Sequence, residues 1–284
     1  VISLDSVRFT YEDAETPALD GISFTAAAGS FVCIAGSESS GRSTLFRLLN
    51  GTAPASFPGT VSGSIRIGDF DPSEQGHHAT GTLVTSVFDD PDSQIISLTV
   101  EEEVSFALVQ RGYPFEEIGE RVSTALSRVG LAGFERRSTG SLSGGQKQRL
   151  IMASAIALRP KILLADEGTS ALDPAGARLY FQIIEEMRVH DGTLAVVIDR
   201  DLGLILEHAD LVIILDHGKM LLSGTPKEVC QYPDLLASAG LRLPAWLELS
   251  ALLKRRGVLR GPIPSNEAEA HAVLSALVPE QVSA

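Results

Sequence analysis

Cysteine is almost missing from this 284-residue chain, which has only Cys33 and Cys230. Two thiols cannot build a disulfide framework or a Cys-rich metal site, and they suit a reducing compartment. Basic side chains are also in deficit: 23 Lys and Arg face 36 Asp and Glu, leaving a net charge of -13. A field of that sign opposes general nucleic-acid binding, so no nucleic-acid partner is expected. Long apolar runs are lacking too. "LVIIL" at 211–215 is strand-sized and cannot span a bilayer. The opening "VISLDSVRFT" has neither a basic start nor a long apolar stretch, so no secretion signal is expected. A soluble protein that reaches a membrane only through partners is the expectation. Internal repeats and low-complexity tracts are absent as well. What is present is a hydrophobic fraction of 44%, enough for a full core.

The order of elements points to an α/β fold. "ISLDSVRF", "LDGISFTA" and "SFVCIAG" read as strands, and the third runs straight into a glycine loop. "RSTLFRLLNG" has helical spacing and stops at Asn50-Gly51, a good C-terminal cap. Residues 52–82 are rich in Gly, Pro, Ser and Thr, with short strands such as "GSIRIG", and "LVTSVF" follows as a strand. Helices then dominate, opening with Thr99 and Glu102 at capping-box spacing and continuing through "FEEIGERVSTALSRVG" to Gly130. A helix is expected over about 146–158, then the buried-type strand "KILLAD", a helix, and the strands "TLAVVI", "DLVIILD" and "KMLLSG". Strands alternating with helices predict a largely parallel sheet in a domain spanning 1–225. Residues 226–284 differ in composition. There "PAWLELSALLKRRG" sets Trp246, Leu249 and Leu253 on one helical face, and "SNEAEAHAVLSALV" is a second short amphipathic helix.

Three motifs carry chemistry. "GSESSGRST" at 36–44 follows G-x-x-x-x-G-K-[ST] except that Arg42 stands at the Lys position. In such a loop the backbone N–H groups around Ser39 to Arg42 meet phosphate oxygens, aided by the helix dipole. Gly36 and Gly41 permit the tight backbone, while Ser37, Glu38, Ser40 and Thr44 complete the loop and Ser43 offers a hydroxyl to Mg²⁺. "LSGGQKQR" at 142–149 presents Ser143, Gly144, Gly145 and Gln146 at a helix start, a second anion site. "KILLADEGTSALDP" then brings Asp166 and Glu167 to the carboxyl end of an apolar strand. Asp166 is placed to hold Mg²⁺ through water, and Glu167 to orient and deprotonate an attacking water.

Together these residues resemble the ATP-binding-cassette (ABC) family over residues 1 to about 225. "VFDDPDSQIISLTVEEEVSFAL", "RVSTALSRVGL" and "LSGGQKQRLIMASAIALRPKILLADE" are similar to the ATPase subunits of energy-coupling-factor (ECF) importers, which take up vitamins or transition-metal ions. The resemblance implies a phosphate-loop core with a parallel sheet, an antiparallel β subdomain, a helical subdomain, and a small helical C-terminal extension that helps pair two cassettes. It implies ATP and Mg²⁺ as cofactors, with Tyr11 stacking on adenine. It further implies a second ATPase subunit facing this one head to tail, so that each ATP lies between one phosphate loop and the other chain's LSGGQ. A transmembrane coupling protein, docked near Asp89 to Gln94, and a substrate-binding membrane component complete the implied complex, at the cytoplasmic face of the membrane.

Four positions depart from the family pattern. Besides Arg42, Asp89 stands where a Gln contacts Mg²⁺ and water, Arg200 where a His contacts the γ-phosphate, and Gly168 where Pro follows the catalytic Glu. Arg is a bulky planar fork where Lys is a compact charge. Asp89 adds negative charge and could ligate Mg²⁺, and a pairing of Asp89 with Arg42 or Arg200 would balance the site. The intact LSGGQ and the altered phosphate loop suggest an asymmetric pair, weak at this chain's own site and competent at the partner's. A nucleotide-binding scaffold without catalysis is the alternative. A soluble cassette of translation or DNA repair fits less well, since such proteins carry two cassettes or a coiled-coil insertion.

Overall fold

The computed structural model describes residues 1–277. Along the chain come β1 (Ile2–Tyr11), β2 (Leu19–Ala26), β3 (Phe31–Gly36), α1 (Arg42–Leu49), β4 (Gly59–Ile67), α2 (Pro72–Thr80) and β5 (Val84–Val87). Next are α3 (Pro91–Gln94), α4 (Val100–Gln110), α5 (Phe115–Arg128), α6 (Gly144–Leu158), β6 (Ile162–Asp166), α7 (Pro174–Asp191) and β7 (Leu194–Ile198). The chain continues with α8 (Leu202–His208), β8 (Leu211–Asp216), β9 (Lys219–Gly224), α9 (Pro226–Val229), α10 (Pro233–Ser238), α11 (Ala245–Arg255) and α12 (Glu267–Leu277). Val278, the end of the second expected tail helix, lies outside the described residues.

Two sheets share the work. A six-stranded sheet has the order β5-β6-β7-β3-β8-β9, parallel except for β9, and a three-stranded antiparallel sheet has the order β2-β1-β4. In β3 every residue is buried, as expected of a central parallel strand covered on both faces. Its side chains alternate between two cores. Phe31, Cys33 and Ala35 join the core shared with α4 to α8, whereas Val32 and Ile34 join the core under α1 and the small sheet. Burial drives the Cys33 thiol well above its usual range, so it is an inert core side chain.

Strand β1 shows how the small sheet keeps its pattern. Ile2 and Leu4 face inward, and so do Val7 and Phe9, which break the alternation by one residue. A bulge between Leu4 and Val7 absorbs the extra residue, with Ser6 at φ 52. Opposite it Gly63 sits at φ +86, where an added Cβ would fall 2.5 Å from the Ser6 carbonyl oxygen.

The helical segment is set by its caps. Thr99 Oγ1 accepts from the Glu102 N–H at 3.4 Å and the Glu102 carboxylate accepts from the Thr99 N–H at 3.0 Å, the reciprocal box read from the spacing. Helix α6 begins at Gly144, two residues before the expected start. Ser143 and Gln146 form a second capping box there, and it draws both glycines into the first turn. Helices α2 and α8 were not legible as such: α2 lies in the Gly/Pro/Ser/Thr-rich stretch, and α8 is a short turn capped by Asp201.

The tail does not form a core of its own. Leu236, Leu241, Leu247, Ala251 and Ile263 belong to the same core as α4 to α8. The expected stripe therefore splits: Trp246 packs on that core, whereas Leu249 remains 44% exposed.

Candidate functional site

Strand β3 ends at Gly36, where an added Cβ would lie 2.3 Å from the Leu215 carbonyl oxygen and 2.6 Å from Ser40 Oγ. Only glycine lets the loop pass. Ser39 takes the left-handed conformation at φ 63 and Gly41 lies at φ 100, so the chain curls before α1 starts at Arg42. No side chain caps α1, and its first turn holds no acidic residue. Its free N–H groups and positive dipole end therefore face the loop, as a phosphate site requires. Two buried polar atoms in the loop are orphaned: Ser40 Oγ and Arg42 Nη1 have no hydrogen-bond partner. Arg42 is only 6% exposed. A buried guanidinium nitrogen without an acceptor, beside an uncapped helix start, fits an anionic ligand.

The other guanidinium nitrogen is engaged. Arg42 Nη2 lies 3.1 Å from Glu167 Oε1. Arg200 Nε lies 3.0 Å from that same oxygen, and Arg200 Nη1 lies 3.2 Å from Glu38 Oε1. The expected balancing of Asp89 by one of these arginines is thus not what forms. Asp89 lies two residues beyond β5, its carbonyl oxygen accepts from Gln148 Nε2 at 3.0 Å, and its negative charge bears on Asp166. Asp166 is raised to about 6 by burial first, then by Asp89 and Glu167, against the opposing pull of Arg42 and Arg47. Among the described residues no group of three or more His, Cys, Asp or Glu gathers as a metal site. Asp166, Asp89 and Ser43 could supply one or two ligands to Mg²⁺, whose remaining ligands would be nucleotide oxygens and water.

The residue after Glu167 explains one departure. An added Cβ at Gly168 would lie 2.1 Å from Tyr180 Oη and 2.5 Å from its Cζ. Tyr180 is buried and its hydroxyl lacks a hydrogen-bond partner, so proline at 168 has no room. Glu167 itself takes a left-handed φ of 46, held by its N–H donating to the Ile198 carbonyl at 2.8 Å. The loops carrying Glu167 and Arg200 are joined through buried Asp199. It accepts from Thr169 Oγ1 at 2.6 Å and from the N–H groups of Arg200 at 2.7 Å and Asp201 at 2.9 Å. Burial raises the Asp199 carboxyl, and these bonds hold it back. Neither Tyr180 nor Asp199 belongs to a recognisable motif, and sequence reasoning missed both.

Tyr11 is tied to α1. Its hydroxyl lies 3.0 Å from Thr44 Oγ1 and accepts from Arg47 Nη1 at 3.0 Å, while its ring meets Phe9 edge-on at 4.8 Å between centroids. The LSGG residues lie apart from this cluster. Ser143, Gly144 and Gly145 line a groove with Ala171, Leu172 and Gly176. Gln146 turns its side chain back to accept from the Ser143 N–H at 2.9 Å, and Arg149 and Asp173 add charged side chains to the groove's lining. The phosphate loop and the LSGG helix start are thus two separate helix N-termini, each of the kind that suits an anion.

Comparison with known proteins agrees with this arrangement. The ABC transporter family model matches residues 19–170. The energy-coupling factor transporter ATP-binding protein EcfA1 of Listeria monocytogenes is 37% identical over 260 residues, covering 92% of this chain and 91% of that protein. Among solved structures, cbiO1 from Clostridium perfringens, part of the ABC transporter complex cbiONQ, superposes with a TM-score of 0.73 at 32% identity, over 88% of this chain and 98% of that one. The ATP-binding cassette MJ0796, in a dimeric post-hydrolysis state bound to ADP and Pi, gives a TM-score of 0.71 at 26% identity, over 79% and 98%. A phosphate loop, an LSGG helix start and a strand ending in Asp-Glu, on the fold and sequence of these relatives, make the chain a member of the ABC transporter family and an ABC-type ATPase with ECF-transporter relatives.

Proposed function

We propose that this chain is the ATP-binding subunit of an ECF-type importer for a vitamin or a transition-metal ion, paired with a second, different ATPase. The observation that carries this reading is the contrast between its two half-sites. The LSGG groove is intact, whereas the phosphate loop is altered at Arg42 and meets Glu167 through an ion pair. In this reading Gly36, Ser37, Glu38, Ser39, Ser40, Gly41, Arg42, Ser43 and Thr44 hold the phosphates, and Tyr11 flanks the base. Bound Mg²⁺ would supply charge neutralisation at the phosphates. Asp166, Asp89 and Ser43 orient that cation, Glu167 takes the proton of the attacking water once freed, and Arg200 contacts the terminal phosphate. Ser143, Gly144 and Gly145 serve the partner's nucleotide.

No helix among the described residues is long and apolar enough to cross a membrane. The proposed dock for a transmembrane coupling protein lies beside α3, where Ile96 is 64% and Leu98 80% exposed. Peripheral attachment at the cytoplasmic face follows from that dock.

ATPase rates of the chain alone, the partner alone and the mixture test the reading. The chain alone is expected to be nearly inactive. Reverting Arg42, Asp89 and Arg200 to Lys, Gln and His should raise the mixture's rate by adding a second working site to the partner's. An unchanged rate would count against an altered site.

Pairing gives a second test. Because Leu247 and Ala251 of α11 are buried in this subunit's own core, deleting the tail would damage the fold. Leu249→Asp with Leu252→Asp is the cleaner change, since these side chains are 44% and 38% exposed. Sedimentation should show the pair weakened by roughly 2 kcal/mol, the size of an interface anchor, with the melting temperature of the single chain unmoved. Undiminished pairing would exclude this face.

A further inference from the structure

One oxygen of Glu167 receives both arginines. Arg42 reaches it at 3.1 Å from the phosphate loop, and Arg200 at 3.0 Å from the loop after β7. Arg200 also returns to the phosphate loop through Glu38 at 3.2 Å, so three ion pairs link four charges and the loop backbone from Glu38 to Arg42 completes the ring. Arg42 Nη1 is buried and unpaired beside this ring. A buried guanidinium needs an anion, and here a protein carboxylate takes one half of it while the other half stays free. Glu167 holds this place with its backbone at φ 46, a conformation costly for a residue with a side chain.

We propose that the Glu167 carboxylate is a built-in stand-in for phosphate. It must release Arg42 and Arg200 before the phosphates of a nucleotide can take them. The ring is then a latch that lowers the resting chain's affinity for nucleotide and keeps the catalytic carboxylate occupied until nucleotide arrives. The inference rests on the reading that the phosphate loop binds nucleotide. Apparent affinity falls in proportion to the unlatched fraction, so a latch closed in about four chains of five weakens binding about fivefold. The two arms differ. The Arg42 arm is buried, whereas Arg200 and Glu38 are 56% and 82% exposed, so their bridge contributes less.

Calorimetric titration of ADP into the isolated full-length chain, without Mg²⁺, tests this. ADP has no γ-phosphate to be hydrolysed, so arrested hydrolysis cannot pass for tighter binding. Glu167→Gln should tighten ADP binding about fivefold, and Glu38→Gln should tighten binding of an ATP analogue with an uncleavable β–γ bridge, whose γ-phosphate Arg200 would meet, about twofold. Asp89→Asn removes the same charge but breaks neither arginine contact, and it should tighten binding by less than about twofold. Equal gains from Asp89→Asn and Glu167→Gln would reduce the effect to general repulsion and overturn the latch. Unchanged affinity in Glu167→Gln would overturn it as well. Glu38→Gln, on an exposed side chain, decides the matter should Glu167→Gln fail to fold: tighter binding of the uncleavable ATP analogue supports the latch and unchanged binding refutes it. If neither ADP nor ATP binds to the wild type or any variant, the nucleotide reading of the loop falls, and the latch with it.

Discussion

Gly144→Glu is expected to abolish ATP hydrolysis and solute uptake by the assembled complex, while Glu167→Gln in the same complex leaves most of both. The asymmetry follows from which nucleotide each residue serves in the proposed pairing. Gly144 opens α6, where Ser143 and the first N–H groups face the groove that would meet the partner's γ-phosphate. A carboxylate there puts negative charge and bulk against the phosphate. Loss of one such donor set lowers turnover by about 10²- to 10³-fold. Glu167, by contrast, belongs to this chain's own site. The fold should tolerate the glycine change. An added Cβ at Gly144 lies 3.7 Å from the Ala171 Cβ, an ordinary contact, and Glu favours a helix more than Gly does. Thermal melting of the variant should therefore match the wild type, separating lost chemistry from lost structure. Steady-state ATPase and uptake by complexes carrying each single change are the readouts. Equal, near-complete loss from both would mean that both sites turn over.

Much of this was legible in the chain because local signals and global fold agree. The run "FVCIAG" is apolar throughout and lies in the sheet centre, and Thr99 with Glu102 forms the box that its spacing implies. The three phosphate-site motifs needed only their order along the chain. What stayed hidden depended on contacts between distant residues. That Gly168 replaces proline is plain in the sequence, but its reason is Tyr180, which no local rule places against it. The charges of Arg42, Asp89 and Arg200 invited a pairing among themselves. The fold instead brings both arginines to Glu167 and leaves Asp89 bearing on Asp166. Amphipathic spacing in α11 showed that one face is apolar, but not that Trp246 would pack on the main core while Leu249 stays outside. Periodicity reports a face; only the packing says what covers it.

Asp166→Asn should stabilise the nucleotide-free, Mg²⁺-free chain at neutral pH while weakening the proposed hold on Mg²⁺. The folded-state carboxyl is raised from 3.8 to about 6, chiefly by burial and then by Asp89 and Glu167. Between those two values the folded chain binds more protons than the unfolded one, so stability must fall as pH rises through that window. Above about pH 6 the cost of the buried charge is fully expressed. A shift of about two pKa units corresponds to roughly 3 kcal/mol at most. Asn keeps the shape of the protonated acid without the charge, and so it removes this dependence. Denaturant unfolding from pH 5 to 8 should show the variant gaining on the wild type as pH rises, by about 2 to 3 kcal/mol at pH 8. At lower pH the two curves should draw together. Parallel curves across the range would mean that Asp166 ionises without penalty. A variant that lost stability at pH 8 would show that its charge is compensated by Arg42 and Arg47, the opposing partners. A carboxylate kept at such a cost is expected where function needs a charge that the fold alone does not, and a site for a cation beside phosphate is such a place.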